Sequence, residues 1–185
     1  MPDALGAGRT AVYFRGGKMT ADVDWAFADM TAAFVGNLDV PNLGSSWAPR
    51  WLGLGNYGRS EEDWASPDTW VVACYDTIFA TNGFVSDRNS ARPIDLYFDP
   101  DQNYLVVTRK QAGTIKVWLR PFGGATITMT GATSSAGLAA DTLNVGGNME
   151  PQNLWGAIGH IGLWNRGLTD TEVLAALDYL GGLYE

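Results

Sequence analysis

Residues 155–173, Trp155-Gly-Ala-Ile-Gly-His-Ile-Gly-Leu-Trp164-Asn-Arg-Gly-Leu-Thr169-Asp-Thr-Glu172-Val, constrain the fold more than any other stretch of the chain. Strict alternation puts Ile158, His160, Gly162 and Trp164 on one face of a strand and Gly159, Ile161 and Leu163 on the other. Asn165-Arg166-Gly167 breaks the strand. Thr169 followed by Glu172 at the third position is a capping box, and Leu168 against Val173 makes a hydrophobic staple. The helix that starts here carries Val173, Leu174, Leu177 and Leu180 toward an apolar surface. A last strand locked by one short amphipathic helix, spanning 168–181, is a specific ending for an all-β domain.

The same segment resembles the closing motif of the laminin-G-like, concanavalin A-like lectin/glucanase family. Gly156, Ile158, Ile161, Leu163, Trp164, Asn165, Arg166, Leu168, Thr169 and Glu172 fall in register with it. Leu143-Asn-Val145-Gly146, Gly113-Thr-Ile-Lys-Val-Trp118-Leu and Val12-Tyr-Phe14-Arg-Gly16 resemble three further strands of that family. The similarity covers 102–180 well and 9–17 thinly, and is not traceable between about 38 and 90. It implies a two-sheet antiparallel β-sandwich, a jelly roll of concanavalin A type, with one short C-terminal helix. Where the family usually has two acids, this chain has Gly159 and His160. The family hosts glycan binders, hydrolases, receptor modules and structural domains, so the resemblance speaks to fold before function.

A chain of 185 residues, 46% of them hydrophobic, can bury one substantial core, and a single domain over 1–185 with an N-terminal arm at 1–8 is the simplest organisation. The glycine-rich arm, Leu5-Gly-Ala-Gly8, is expected to pack on the domain or on a neighbour. Candidate strands are 9–14, 28–35, 51–55, 69–76, 94–98, 104–109, 114–120, 125–129, 142–145 and 157–164. The best hairpin joins 104–109 to 114–120, with Ile115, Val117 and Leu119 facing the core and Lys116 and Trp118 on the opposite face. Residues 41–68 form a long irregular region, the kind of loop that carries specific function.

Net charge of −8, with basic residues scattered and only Arg109-Lys110 adjacent, disfavours nucleic acid and anionic membrane surfaces as partners. No apolar run reaches the ~20 residues of a membrane span. The start carries no secretory leader, so synthesis in a cytoplasm is expected. Cys74 is a lone cysteine in an apolar strand, which reads as a small buried hydrophobe.

Catalysis is not expected. Glycosidases need two carboxylates held across a cleft, ~5–9 Å apart. The hydrolytic relatives place theirs at alternate positions of one strand, whereas Glu61-Glu62-Asp63 is consecutive and reads as a solvated loop. His160 is the single histidine and has no nucleophile motif beside it. No cofactor is expected, with calcium as the alternative: Asp99, Asp101 and Asn103 match the start of an oxygen-ligand loop, although Asp-Pro-Asp is also common turn chemistry. Asp22, Asp24 and Asp76 read as further loop oxygens without a spacing signal. For ligand or partner binding the suggestive cluster is Trp47, Arg50 and Trp51, with Trp64 nearby, since exposed aromatics stack on sugars and also centre protein interfaces.

These features together lead to an expectation of a non-catalytic binding or structural protein. The leading version is a virion component of a tailed phage, a capsid decoration or fibre protein, made in the host cytoplasm and assembled with itself or other virion proteins. The alternatives are a free carbohydrate-binding lectin and, third, an atypical glycoside hydrolase.

Overall fold

The β-hairpin at the centre of the chain shows how the sheets are built. Strands Tyr104–Gln111 and Thr114–Pro121 pair from Tyr104↔Pro121 to Gln111↔Thr114, which leaves a two-residue turn of Ala112 and Gly113. Both turn residues have positive φ, 48° and 77°, the geometry whose twist matches that of paired strands. The Ala112 amide donates to the Asp29 carboxylate at 3.0 Å and ties the turn to its neighbour.

A computed structural model describes residues 5, 10–17, 19–37, 50–55, 70–77, 80–87, 94–98, 102–132, 138–146 and 154–184. In chain order the strands are β1 Val12–Gly17, β2 Met19–Phe27, β3 Met30–Gly36, β4 Arg50–Gly55, β5 Trp70–Thr77, β6 Ala80–Asp87, β7 Ile94–Phe98, β8 Tyr104–Gln111, β9 Thr114–Pro121, β10 Ile127–Ala132, β11 Leu138–Val145 and β12 Leu154–Trp164. They form two six-stranded sheets, ordered β1-β12-β3-β8-β9-β10 and β2-β11-β4-β5-β6-β7, and every pairing is antiparallel. Helix α1, Asp170–Tyr184, completes the expected all-β sandwich with one C-terminal helix.

The central strands of the first sheet, β3 and β8, are buried on both faces. The sheet's inner face supplies Phe14, Phe34, Tyr104, Val106, Ile115, Val117, Leu119 and Ile158 to a core shared with Leu52, Leu54, Ala140 and Val145 of the second sheet. Its outer face packs Ala33, Val35, Leu105, Val107 and Trp118 against Leu168, Val173, Leu177, Leu180 and Tyr184. This is why β3 reads Met-Thr-Ala-Ala-Phe-Val-Gly without alternation: all seven residues are buried, and neither face needs polar side chains. Ile115, Val117 and Leu119 face the inter-sheet core as expected, and Trp118 on the other face is buried under α1.

Several expectations need correction. The helix runs 170–184 rather than 168–181, because Leu168 and Thr169 serve as staple and cap outside it. Leu174 is about half exposed, and Tyr184 takes the apolar position one turn beyond Leu180. Residues 19–27 and 80–87 are strands. Asp22 and Asp24 therefore sit on β2 and Asp76 on β5, where loop positions were expected. The perfect alternation Met19, Ala21, Val23, Trp25 carried the signal for β2. The strand β12 is also not strictly alternating. Its pairing with β3 shifts between Ile158 and Ile161, so both of these turn inward, and His160 is exposed with its ring edge-on to Tyr179 at 6.1 Å.

Candidate functional site

The residues that carry the family resemblance close the fold. Arg166 grips Glu172 with both guanidinium nitrogens, at 3.0 and 2.6 Å. Glu172 in turn accepts from the Thr169 amide at 2.7 Å and hydroxyl at 3.0 Å, while its own amide donates to Thr169 Oγ1 at 3.3 Å. These hydrogen bonds, from Arg166 first and Thr169 next, bring the Glu172 carboxyl down to about 2. One residue inside the helix, Asp170 binds Lys116 at 2.7 Å and Arg109 at 2.8 Å, and the Lys116 bond first, then Arg109, holds its carboxyl below the ordinary range. Both cations also lie over the Trp118 ring, 4.6 and 5.1 Å from its centroid. Fully buried Thr31 accepts from the Leu168 amide at 2.9 Å and donates to the Arg166 carbonyl at 3.0 Å. Thr31, Arg109 and Lys116 thereby fasten the start of the helix to the first sheet.

Asn103 is likewise committed to structure. Its Oδ1 accepts from Asn37 at 3.0 Å and its Nδ2 donates to the Leu5 carbonyl at 3.2 Å. Asn37 Oδ1 then accepts from the Ala157 amide at 2.7 Å. This network anchors fully buried Leu5, so the N-terminal arm packs on the domain at that point. Asp99 and Asp101 lie outside the described residues, as do Trp47 and Trp64. Arg50 and Trp51 open β4, and the structure describes their backbone, paired in the second sheet. Among the described residues no three His, Cys, Asp or Glu side chains gather as a metal site would require, and no helix is long and apolar enough to cross a membrane.

A polar face that the sequence reading did not single out lies on the second sheet, opposite the core. On β2, Val23 and Trp25 pack inward, so Thr20, Asp22, Asp24 and Ala26 point outward, and all four are exposed. On β11, Leu143 packs toward the core and Val145 is buried in it. A register shift between Ala140 and Thr142 places a bulge at Asp141, whose Oδ1 accepts from the Thr142 hydroxyl at 2.8 Å. Thr142 and Asn144 point outward, opposite Asp22 and Thr20 on one side and opposite Gly55 and Gly53 of β4 on the other. A glycine inside a strand marks a place where another group approaches the backbone closely, and Gly53 is buried, as is Asn144 beside it. Asn144 is 3% exposed, and its Nδ2 has no hydrogen-bond partner.

The same two strands line an apolar groove of about 420 Å³, between Met19, Thr20, Ala21, Leu143 and Val145 and, from β12, Ile161 and Leu163. Gly146, with φ of 82°, faces the ring of Phe14.

No protein-family model matches the chain, and no curated protein matches its sequence. Solved structures do match. The native heptameric SAP-like pentraxin from Limulus polyphemus superimposes over 87% of this chain and 78% of its own, with a TM-score of 0.62 and 14% identity. The enzymatically active domain of tailspike protein 2 from bacteriophage CBA120 covers 97% of this chain with a TM-score of 0.68 and 9% identity. The Trypanosoma rangeli sialidase covers 90%, with a TM-score of 0.59 and 15% identity. This chain spans 28% of that tailspike chain and 26% of the sialidase. All three share the concanavalin A-like, jelly-roll sandwich, and at these identities the likeness is one of fold.

Proposed function

We propose that this chain is a non-catalytic glycan-binding domain of a phage virion protein, of the fibre or tailspike kind rather than a capsid decoration. The observation that carries the reading is the outward face of β2 and β11. Exposed Thr20, Asp22, Asp24 and Asp141 adjoin half-buried Thr142, a set of hydroxyl and carboxylate groups on a rigid frame. Sugars are recognised by such groups fixed in place, because each hydrogen bond then forms without ordering a loop. The tailspike likeness over nearly the whole chain supports the choice of virion role, and the heptameric pentraxin supports self-association. The test is retention of the purified protein on bacterial surface polysaccharides, with mass by light scattering in parallel. Retention that survives substitution of Asp22 and Asp24 would refute this face as the site.

One observation favours a second reading, hydrolysis. Asp22 and Asp24 occupy alternate positions on one strand face, the arrangement in which paired carboxylates share a face. Both are exposed on a strand that ends its sheet, whereas a catalytic pair works across a water-excluding cleft. Release of reducing sugar, lost in Asp22→Asn and Asp24→Asn, would establish this second reading in place of the first.

A further inference from the structure

We infer that β10 is the edge on which a second copy of this chain docks, the two β10 strands pairing antiparallel about a two-fold axis at Thr130. This gives the self-association proposed above a surface and a symmetry, and it does not draw on the polar face of β2 and β11. Two independent observations carry it. The first is the set of open backbone groups. Gln111 and Thr114 flank a two-residue turn and so exchange both of their hydrogen bonds, which sets the alternation in β9. Thr114, Lys116 and Trp118 bond to β8, while Ile115, Val117 and Leu119 turn their amides and carbonyls toward β10. Their partners Gly131, Met129 and Ile127 are thereby committed to the sheet. Thr128, Thr130 and Ala132 aim theirs outward, from a strand that ends the first sheet among the described residues, and all three are exposed. Such an edge is its own complement under a two-fold. With the axis at Thr130, that residue faces its counterpart and Thr128 faces Ala132 of the second copy, so every open donor and acceptor of the edge is used.

The second observation is the chemistry of the edge. A sheet edge templates pairing with another chain, and charged side chains, prolines or bulges normally guard it. Among the described strands, β1 carries Arg15 with a register shift beside it, β2 carries Asp22 and Asp24, and β7 carries Asp95. In contrast β10 reads Ile-Thr-Met-Thr-Gly-Ala, and the sequence holds no charged residue between Arg120 and Asp141. For a chain of net charge −8, contact between copies is opposed wherever carboxylates meet, and this edge brings none together. Threonines opposite each other on antiparallel strands are a favourable pair. Strand β10 lies against β7, at the end of the sandwich away from β2, so pairing leaves the polar face of both copies open.

The experiment is mass by light scattering on the full chain over a range of concentrations, with amide hydrogen exchange at the lowest and highest. The mass should rise to that of two copies. The amides of Thr128, Thr130 and Ala132 should exchange about tenfold more slowly at the high concentration, while those of Ile127, Met129 and Gly131 are protected at both. Thr130→Lys and Thr130→Glu each set like charges face to face across the axis and should weaken dimerisation about tenfold. An equimolar mixture of the two variants should recover the dimer. Thr130 is exposed, so both variants keep the fold, with melting temperature as the control. A mixture that stays monomeric would overturn the axis at Thr130. A dimer unweakened in both variants, or protection gained on β1, β2 or β7 instead, would overturn this edge while leaving self-association intact. A monomer at every concentration would sink both.

Discussion

Gly146→Ala should cost about 3 kcal/mol of stability, through two separable effects. Gly146 has φ of 82°, and an L residue in the left-handed region costs about 1–2 kcal/mol. A Cβ built there would lie well inside van der Waals contact with three carbons of the Phe14 ring. Phe14 is 5% exposed and packs with Ile158, Val145 and Phe34, so the ring cannot swing into solvent without opening the inter-sheet core. Overpacking of this kind typically costs about 1–3 kcal/mol. For a chain of this size the sum corresponds to a melting temperature lower by about 6–12 °C. The assay is urea unfolding with the slope held as a control on two-state behaviour. A Phe14→Leu background separates the effects: with the ring gone, Gly146→Ala should cost only the backbone part, leaving a coupling of about 1–3 kcal/mol. An equal cost in both backgrounds would show that the ring is not the obstacle, and a neutral Gly146→Ala would refute both parts of the reasoning.

Three other outcomes follow from the clasp at the helix start and from the oxygen-rich loop. Because the Glu172 carboxyl falls to about 2 on folding from an ordinary value near 4.5, its contribution is present above pH 4.5 and lost as pH drops toward 2. Glu172→Gln should therefore flatten the fall of melting temperature across that window, and an unchanged profile would place the acid sensitivity elsewhere. Thr31→Val leaves the Leu168 amide and the Arg166 carbonyl without their shared partner. It should cost about 1–3 kcal/mol and speed hydrogen exchange at Leu168 before exchange rises in the inner strands. Chelator should leave the mass by light scattering unchanged, since Asn103 gives its Oδ1 to Asn37; dissociation on chelation would return calcium to Asp99, Asp101 and Asn103.

Much of the candidate site was present in the sequence but hidden by composition. Met19, Ala21, Val23 and Trp25 alternate with Thr20, Asp22 and Asp24 as a half-buried strand should, yet two aspartates and three alanines among 19–28 look like a loop when polarity is judged by content rather than period. Leu143-Asn-Val145 was legible as a strand, whereas the shortage of partners at Asn144 depends on what β2 and β4 place beside it. The expected binding residues, Trp47, Arg50, Trp51 and Trp64, came from residue type alone, which says that a side chain can bind and not where it points. Arg109-Lys110 was legible only as an adjacent pair of cations, and the alternation of β8 sends Lys110 into the interior, where it is fully buried.

What the chain determines by itself is local. The capping box of Thr169 and Glu172, the turn of Ala112 and Gly113, and the period-two patterns of β9 and β11 each depend on residues a few positions apart. Tertiary structure decided the rest, because the groups concerned come from distant parts of the chain. Thr31 meets Leu168 across 137 positions, and Asn103 meets Leu5 across 98. Whether the outer face of a sheet is solvent or a second core depends on whether a helix lands on it. For the first sheet α1 does, and Trp118 is buried. On the second sheet the strand face of Thr20, Asp22 and Asp24 stays open to solvent.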